Sequence, residues 1–292
     1  YGANYVKDDD PRVAQLLTET LDTAGLVDIP EPVWTFDGEG TVAEGRPTDG
    51  HKWTYRTGIS EVAMRLLDPA EVRLELGMTV DRVAAAGSGW SVATAGGTEW
   101  GPFDSLVLTP PAPVTSQLLE TAAWDGNEKS RIVDAIQAVP YRSVWTAVLG
   151  YPFPIDEPYY ALVNPSKDHA IGWISREECK PGHVPDGQTV LIVQANHEWS
   201  IDNADADSEQ NVTALARLAA DIMDDERLAT PNWTDAQNWR RALAEDRFEP
   251  DARAQADAAG LFCVGDWVAG EARVHAAIRS GLAVRDRLRT EG

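Results

Sequence analysis

Residues 261–284 constrain the fold more than any other part of the chain. The apolar run 261–264 predicts a short buried strand, and Gly265 and Asp266 follow it directly. After a short loop, a helix is expected to open near Val274, and its close-packed face comprises Ala276, Ala277, Ile278, Gly281 and Leu282. This order places a carboxylate at a strand tip, near the free amides and positive dipole end of a helix. It predicts a cradle for a polar ligand, although any strand–loop–helix with an aspartate at the turn gives the same pattern.

Length and composition indicate a folded protein with a sizeable core. The chain has 292 residues, of which 43% are hydrophobic, so it can form one large or two ordinary domains. Its net charge is −22, with five lysines against twenty arginines, and the acidic residues are spread along the whole sequence. We interpret them as a solvated surface of halophilic type, the alternative being an acidic mesophilic protein. Such a surface repels nucleic acid and anionic membranes, so neither is an expected partner.

The cysteines and histidines do not form a recognisable metal or disulfide pattern. Cys179 and Cys263 are far apart in the sequence, and Cys263 falls in the predicted strand before Gly265, where a small buried hydrophobe fits. The sequence shows neither a membrane-length apolar run nor a signal peptide, so the expected location is the cytoplasm.

Helix and strand signals are mixed along the chain. Asp10-Pro11 predicts a capped helix that stops at Gly25, and further helices are expected after Gly58 and over 211–225. From residue 71 the apolar period changes to two, which predicts a small antiparallel meander. The string GSGWSV follows no buried strand and opens no helix, so it predicts a hairpin turn, not a dinucleotide fingerprint. Other strands are predicted at 33–36, 52–56, 105–109, 143–149, 169–175 and 189–196.

The C-terminal strand, Gly-Asp pair and helix resemble the C-terminal FAD-binding motif of the flavin amine oxidase superfamily. The resemblance implies that Gly265 and Asp266 hold the ribityl chain, while Arg273 and Val274 at the helix start face the flavin pyrimidine oxygen. Residues 80–83 and 106–110 resemble the middle FAD-binding region of the same superfamily. There Val80 would pair its backbone with the adenine edge, and Thr109-Pro110 would return the chain toward the substrate domain. The implied cofactor is non-covalent FAD, because neither cysteine lies in a covalent-attachment context.

Several segments are similar to the renalase branch of that superfamily: 173–176, 180–182, 190–194, 198–200 and 239–243. The first five residues are similar to its Asp-x-Gly-Ala-x-Tyr segment, which implies that Gly2, Ala3 and Asn4 contact the cofactor. The implied substrate pocket comprises Tyr5, Trp173, Trp239 and Arg241. Arg241 stands where renalases usually have an aromatic residue.

The resemblance implies an α/β (mixed α+β) fold: a Rossmann-like FAD-binding domain, incomplete at its N-terminus, with an interleaved antiparallel-sheet substrate domain. The FAD-binding domain would comprise 66–115 with 251–292, and the substrate domain 1–65 with 116–250. The GxGxxG unit that grips the diphosphate is absent from the sequence. We expect either an N-terminally truncated fragment, which the mid-motif start at Tyr1 favours, or a protein that has lost its main diphosphate-binding unit.

The implied function is hydride transfer from a reduced nicotinamide-like or amine substrate to flavin, followed by reoxidation by dioxygen. The protein would then be an NAD(P)-binding oxidoreductase with a small-molecule substrate. The alternatives are a flavin amine oxidase or desaturase of other specificity, and a truncated, flavin-free binding protein. The sequence assigns no catalytic residue, no metal ligand and no oligomeric state.

Overall fold

The computed structural model describes residues 2–46, 50–68, 72–87, 89–124 and 126–291. The chain divides into two compact units: unit 1 comprises Tyr1–Pro69 with Arg142–Leu243, and unit 2 comprises Ala70–Tyr141 with Ala244–Gly292. The sequence placed 66–69 with the FAD-binding domain and 116–141 and 244–250 with the substrate domain. The units differ there, because apolar residues of 116–141 such as Leu119, Ile132 and Ile136 pack in one core with Val83 and Leu261.

Strands and helices alternate irregularly along the described residues. The strands are β1 Val6–Lys7, β2 Leu26–Asp28, β3 Val33–Phe36, β4 Val42–Ala43, β5 Lys52–Tyr55, β6 Arg82–Ala86, β7 Gly89–Ala93, β8 Glu99–Phe103, β9 Leu106–Leu108, β10 Tyr141–Tyr151, β11 Ala161–Val163, β12 Ile171–Arg176, β13 Thr189–Ala195, β14 Trp233–Ala244 and β15 Leu261–Cys263. The α-helices are α1 Pro11–Gln15, α2 Glu61–Leu67, α3 Ala112–Glu120, α4 Lys129–Gln137, α5 His197–Asp202, α6 Ser208–Ile222, α7 Pro250–Ala258, α8 Asp266–Ala269 and α9 Val274–Glu291.

Unit 1 is built on a mainly antiparallel sheet. Its strand order is β14-β10-β13-β12-β11-β3-β4, in which β11 and β3 run parallel, and a smaller sheet has the order β1-β5-β2. Helix α6 covers the large sheet with its apolar face, where Val212, Leu215 and Ala219 are buried. The predicted helix after Asp10 is present: the Asp10 carboxylate accepts a bond from the Arg12 amide at 2.9 Å, and α1 continues as a π-helical turn to Thr20.

Unit 2 contains a parallel strand pair and an antiparallel meander. β9 and β15 pair in parallel with Leu106 opposite Leu261, and β6, β7 and β8 follow one another as the predicted meander. β6 and β7 pair antiparallel with Ala86 opposite Gly89, as the predicted hairpin requires, and Ser88 of the GSGWSV string lies outside the described residues. β15 is fully buried, and α3, α4, α7 and α8 contribute side chains to the same core.

The segment 72–80 differs from its prediction. The sequence alternates Val72, Leu74, Leu76, Met78 and Val80 with other residues, yet no strand forms before β6 begins at Arg82. All five side chains are exposed, and Leu76 is 77% accessible. A period of two specifies a strand only where a neighbouring strand can pair with it, and none does so in the described part of the chain.

None of the helices described is both long and apolar enough to cross a membrane. Cys179 and Cys263 are free thiols, and burial raises the pKa of each to about 12.

Candidate functional site

Two predicted cofactor segments meet at one edge of the parallel pair in unit 2. Because β9 and β15 run in the same direction with Leu108 opposite Cys263, Thr109-Pro110 and Gly265-Asp266 leave the sheet side by side. The indole Nε1 of Trp267 donates to the Pro110 carbonyl at 3.2 Å and joins the two segments. The fold therefore brings together these four predicted cofactor residues, although the Thr109 side chain is exposed.

Gly265 has a backbone conformation that requires glycine. Its φ is +148° and its ψ 176°, in a region that side-chain-bearing residues avoid. A Cβ at this position would lie 2.9 Å from Cδ1 of Trp267, which is only 1% exposed. The Gly265 amide donates to Oγ of Ser280 on α9 at 2.9 Å. The bend after β15 is thus held from both sides, and it sets the direction in which Asp266 leaves the strand.

Asp266 carries a half-buried carboxylate with spare acceptor capacity. Its Oδ1 accepts the Trp267 amide at 2.8 Å, and its other oxygen accepts no bond from another residue in the described part of the chain. Burial raises the pKa of Asp266 above its usual value, and the Trp267 amide opposes the rise only in part. A carboxylate in this position gains most from a ligand that donates hydroxyl groups to it.

Helix α9 begins at Val274, as predicted. The amides of Val274, His275 and Ala276 donate to no acceptor among the described residues, as is usual for the first turn of a helix. Arg273 is exposed, and its guanidinium donates to the Ala272 carbonyl at 2.8 Å. The sequence predicted a plain loop before α9, but the short helix α8 occupies Asp266–Ala269 within that segment.

Val80 is the predicted cofactor residue with the least structural support. It is 39% exposed and precedes β6, so its prediction as a strand residue is wrong. Its backbone amide and carbonyl form no bond with the described residues, which leaves a polar backbone edge open to a ligand.

The unit 2 groups fit the polar chain of a flavin nucleotide. The site offers a carboxylate oxygen and a first helical turn of amides that have no partner among the described residues, and a glycine where a side chain has no room. Carboxylates accept from sugar-alcohol hydroxyls, and amides at a helix start donate to electron-rich oxygens. These are the two kinds of group that the ribityl chain and pyrimidine ring of FAD present.

In unit 1, Tyr5, Tyr160 and Trp173 form an aromatic cluster. Their ring centroids lie 6.1 to 6.4 Å apart, and Tyr160 is fully buried. The Trp173 indole nitrogen is buried without a hydrogen-bond partner among the described residues. Two predicted pocket residues, Tyr5 and Trp173, are therefore neighbours, and Tyr160 is a third member that the sequence did not single out.

The N-terminal segment of unit 1 continues from this cluster to Trp239. A Cβ at Gly2 would lie 3.6 Å from the Trp239 ring, and Gln194 Nε2 donates to the Gly2 carbonyl at 3.0 Å. Asn4 Oδ1 lies 3.5 Å from the Ser175 hydroxyl, which is at the limit of a hydrogen bond. Ala3 is exposed.

Strand alternation separates the two arginines that follow Trp239. Arg241 lies on the same face of β14 as Trp239, two positions along, and is exposed. Arg240 lies on the opposite face and pairs with Asp205 at 3.1 Å, an exposed ion pair that contributes little. Arg241 is thus better placed than Arg240 to serve a pocket beside Trp239.

A buried ionic network beneath the aromatic cluster was missed by the sequence analysis. Lys180 is 4% exposed, and its Nζ lies 2.7 and 2.9 Å from the two carboxylate oxygens of Glu177 and 5.5 Å from the Tyr160 ring centroid. His183 Nδ1 lies 3.4 Å from Glu177. Burial acts to raise the pKa of Glu177, but the hydrogen bonds and charges of His183 and Lys180 outweigh it and lower the pKa. The three-residue spacing of these groups was the available signal.

Comparison with known proteins gives structural likeness without a family assignment. No family model matches the chain. A protein from Exiguobacterium sp. 255-15, provisionally described as a protoporphyrinogen oxidase, matches with a TM-score of 0.66 and 16% identity over 85% of this chain and 54% of its own. Wild-type putrescine oxidase bound to putrescine matches with a TM-score of 0.61 and 13% identity, over 82% of this chain and 54% of its own. Cyclohexylamine oxidase from Brevibacterium oxydans IH-35A matches with a TM-score of 0.59 and 15% identity, over 82% of this chain and 55% of its own.

The chain spans about half the length of these solved structures. No group of three or more His, Cys, Asp or Glu side chains suited to a metal ion occurs within the described ranges. At these identities the likeness concerns the fold. The chain has the mixed α/β fold of the amine oxidase-like proteins, as the sequence predicted.

Proposed function

We propose that the protein is a FAD-dependent oxidoreductase of the renalase or amine oxidase type that holds its flavin non-covalently. The observation that carries the proposal is the convergence, in unit 2, of Thr109-Pro110 with Gly265-Asp266 at the ends of two parallel strands. The fold likeness to oxidases supports the same class of chemistry. When bound, a flavin accepts hydride from a carbon next to nitrogen, so the protein's own residues need only bind, orient and exclude water.

Asp266, Val80 and the first turn of α9 would contribute through groups that the described residues leave open. Asp266 accepts hydrogen bonds from ribityl hydroxyls, and the first-turn amides from Val274 onward donate to the pyrimidine oxygen. The backbone of Val80, which bonds to none of the described residues, is available to the adenine edge. The remaining proposed contacts are Gly2, Ala3, Asn4, Thr109, Pro110, Gly265 and Arg273.

The proposed substrate is a reduced nicotinamide nucleotide, with amines as the second class. Tyr5, Trp173 and Trp239 offer flat aromatic faces on which a planar or cationic ring can stack. Arg241, exposed on the same strand face as Trp239, would pair with a phosphate of the nucleotide. Dioxygen is the proposed electron acceptor. The amine class is supported by the likeness to putrescine oxidase and cyclohexylamine oxidase.

The proposed setting is the cytoplasm of a salt-adapted cell. The free thiols of Cys179 and Cys263 are compatible with a reducing compartment, and the net charge of −22 agrees with a halophilic surface. The same charge argues against nucleic acid and anionic membranes as partners.

Substrate oxidation by the flavin-loaded protein tests this proposal. We expect anaerobic addition of a dihydronicotinamide isomer to bleach the flavin absorption, and admission of air to restore it with release of peroxide. Putrescine and cyclohexylamine, added in parallel, distinguish the amine class. The Arg241→Gln variant should raise KM for the phosphorylated substrate and leave that for the amines unchanged, with Arg240→Gln as the matched control. A flavin that no member of either class reduces would contradict the proposed activity.

A further inference from the structure

A cavity in unit 2 concentrates positive charge in an otherwise acidic chain. It has a volume of about 430 Å³ and lies among the segment 247–257, α8 and the middle of α9. Arg247, Arg253, Arg279 and Arg287 line it, together with a single carboxylate, Asp257. Four guanidinium groups around one cavity contrast with the net charge of −22 for the whole chain.

Two of these arginines have no carboxylate partner among the described residues. Arg287 pairs with Asp257, and Arg279 lies 3.3 Å from Glu271, which also contacts His275. The guanidinium groups of Arg247 and Arg253 form no ion pair or hydrogen bond with the described residues, although the Arg247 backbone amide donates to Asp246 Oδ1 at 2.7 Å. Arg253 is partly buried, and burial lowers its pKa. A partly buried guanidinium without a carboxylate partner keeps its N–H donors available for an anion in front of it.

The rest of the lining limits the kind of anion. Phe248, Val268 and Ala283 provide apolar walls, and Asp257 neutralises one of the four positive charges. Glu271, outside the lining, pairs with Arg279. About two charges therefore remain to be balanced, which one carboxylate cannot do and a diphosphate can. Guanidinium groups also match phosphate oxygens with paired, directed hydrogen bonds. The volume accommodates a diphosphate with a small organic group attached.

We propose that this arginine cavity binds the diphosphate group of a small phosphorylated ligand, with Arg253 and Arg247 as its principal contacts. The lining residues do not include Asp266 or any other residue proposed to hold flavin. The proposal therefore does not depend on the proposed oxidoreductase function.

Calorimetric titration with inorganic pyrophosphate and with ADP, at low and high potassium chloride, tests the proposal. We expect saturable binding of both that weakens with salt, because screening acts on charge pairing. Arg253→Gln should raise the Kd for pyrophosphate at least tenfold, whereas Arg82→Gln, an equal charge change at an exposed position of β6, should leave it within twofold. Tighter binding of ADP that Arg253→Gln also weakens would identify a nucleoside diphosphate as the ligand class, and equal binding would identify the diphosphate group alone.

Two further variants keep the result interpretable. If Arg253→Gln fails to fold, as judged by circular dichroism, exposed Arg247→Gln should weaken pyrophosphate binding without loss of structure. Asp266→Ala should leave pyrophosphate binding unchanged, which separates this site from the proposed flavin site. Absence of pyrophosphate binding at low salt, or an equal loss in Arg253→Gln and Arg82→Gln, would overturn the proposal.

Discussion

Replacement of Gly265 by alanine should destabilise the protein through the backbone bend that positions Asp266. The φ of +148° lies in a region that is essentially restricted to glycine, and forcing alanine into it costs about 1–3 kcal/mol. The added Cβ would also lie 2.9 Å from the buried Trp267 ring, whose Nε1 bonds the Pro110 carbonyl. Displacing that ring loses a hydrogen bond that contributes about 1 kcal/mol. We therefore expect the free energy of unfolding to fall by about 2–4 kcal/mol.

Gly281→Ala is the matched control, because it adds the same methyl group nearby in unit 2. A Cβ there would lie 3.7 Å from Cγ1 of Val264, an ordinary contact, and Gly281 lies within helix α9. Alanine in a helix interior is favoured over glycine by about 0.5–1 kcal/mol, so this variant should be more stable than the wild type. Denaturant unfolding of the wild type and the two variants measures both changes in the free energy of unfolding. The reasoning would be refuted if Gly265→Ala matched the wild type or if the two variants were destabilised equally.

Two other predictions concern the buried network and the exposed apolar segment. Glu177→Gln leaves Lys180 buried without its counterion and should reduce the free energy of unfolding at pH 7 by about 3–5 kcal/mol. Because the folded-state pKa of Glu177 is lowered, its contribution is present above the unfolded value and is lost as pH falls through the folded value. The difference in free energy of unfolding between variant and wild type, measured with denaturant, should therefore narrow from pH 7 to pH 3. A difference that stays constant would contradict the stabilising role assigned to ionised Glu177. In the second case, Leu74→Ser with Leu76→Ser should reduce fluorescence of a bound hydrophobic dye and change the free energy of unfolding by less than about 0.5 kcal/mol. Ile201→Ser, at an exposed site in unit 1, controls for a general effect, and equal dye loss in both would count against a distinct patch.

The C-terminal motif could be predicted because its signals are local. An apolar run, a glycine with positive φ and the spacing of α9 residues each depend on neighbours within a few positions. The parallel pairing of β15 with β9 is also consistent with two short apolar runs that end in turn residues. Local chemistry thus determined the strand, the bend and the helix.

The predictions from sequence failed where contacts between distant parts of the chain determine the local structure. The strand predicted from the alternation at 72–80 is wrong, because the segment has no paired neighbour among the described residues and forms no regular structure there. The Glu177, Lys180 and His183 network lies in a turn-rich stretch, where sequence spacing alone does not show that the side chains are buried. The arginine cavity joins residues from the three helices α7, α8 and α9 and from the segment before α7, so no single motif marks it.

Flavin retention by the Asp266→Ala variant tests the central claim most directly. Removing a carboxylate whose pKa is raised by burial should not destabilise the fold, so the variant should melt at or above the wild-type temperature. Both proteins, with any upstream coding sequence retained, are incubated with FAD, passed through gel filtration and examined by visible absorption, with exposed Asp134→Ala as the control. The account predicts flavin absorption in the wild type and in Asp134→Ala, and its loss in Asp266→Ala. A colourless folded wild type would favour a flavin-free binding protein, and equal flavin in all three would contradict the role assigned to Asp266.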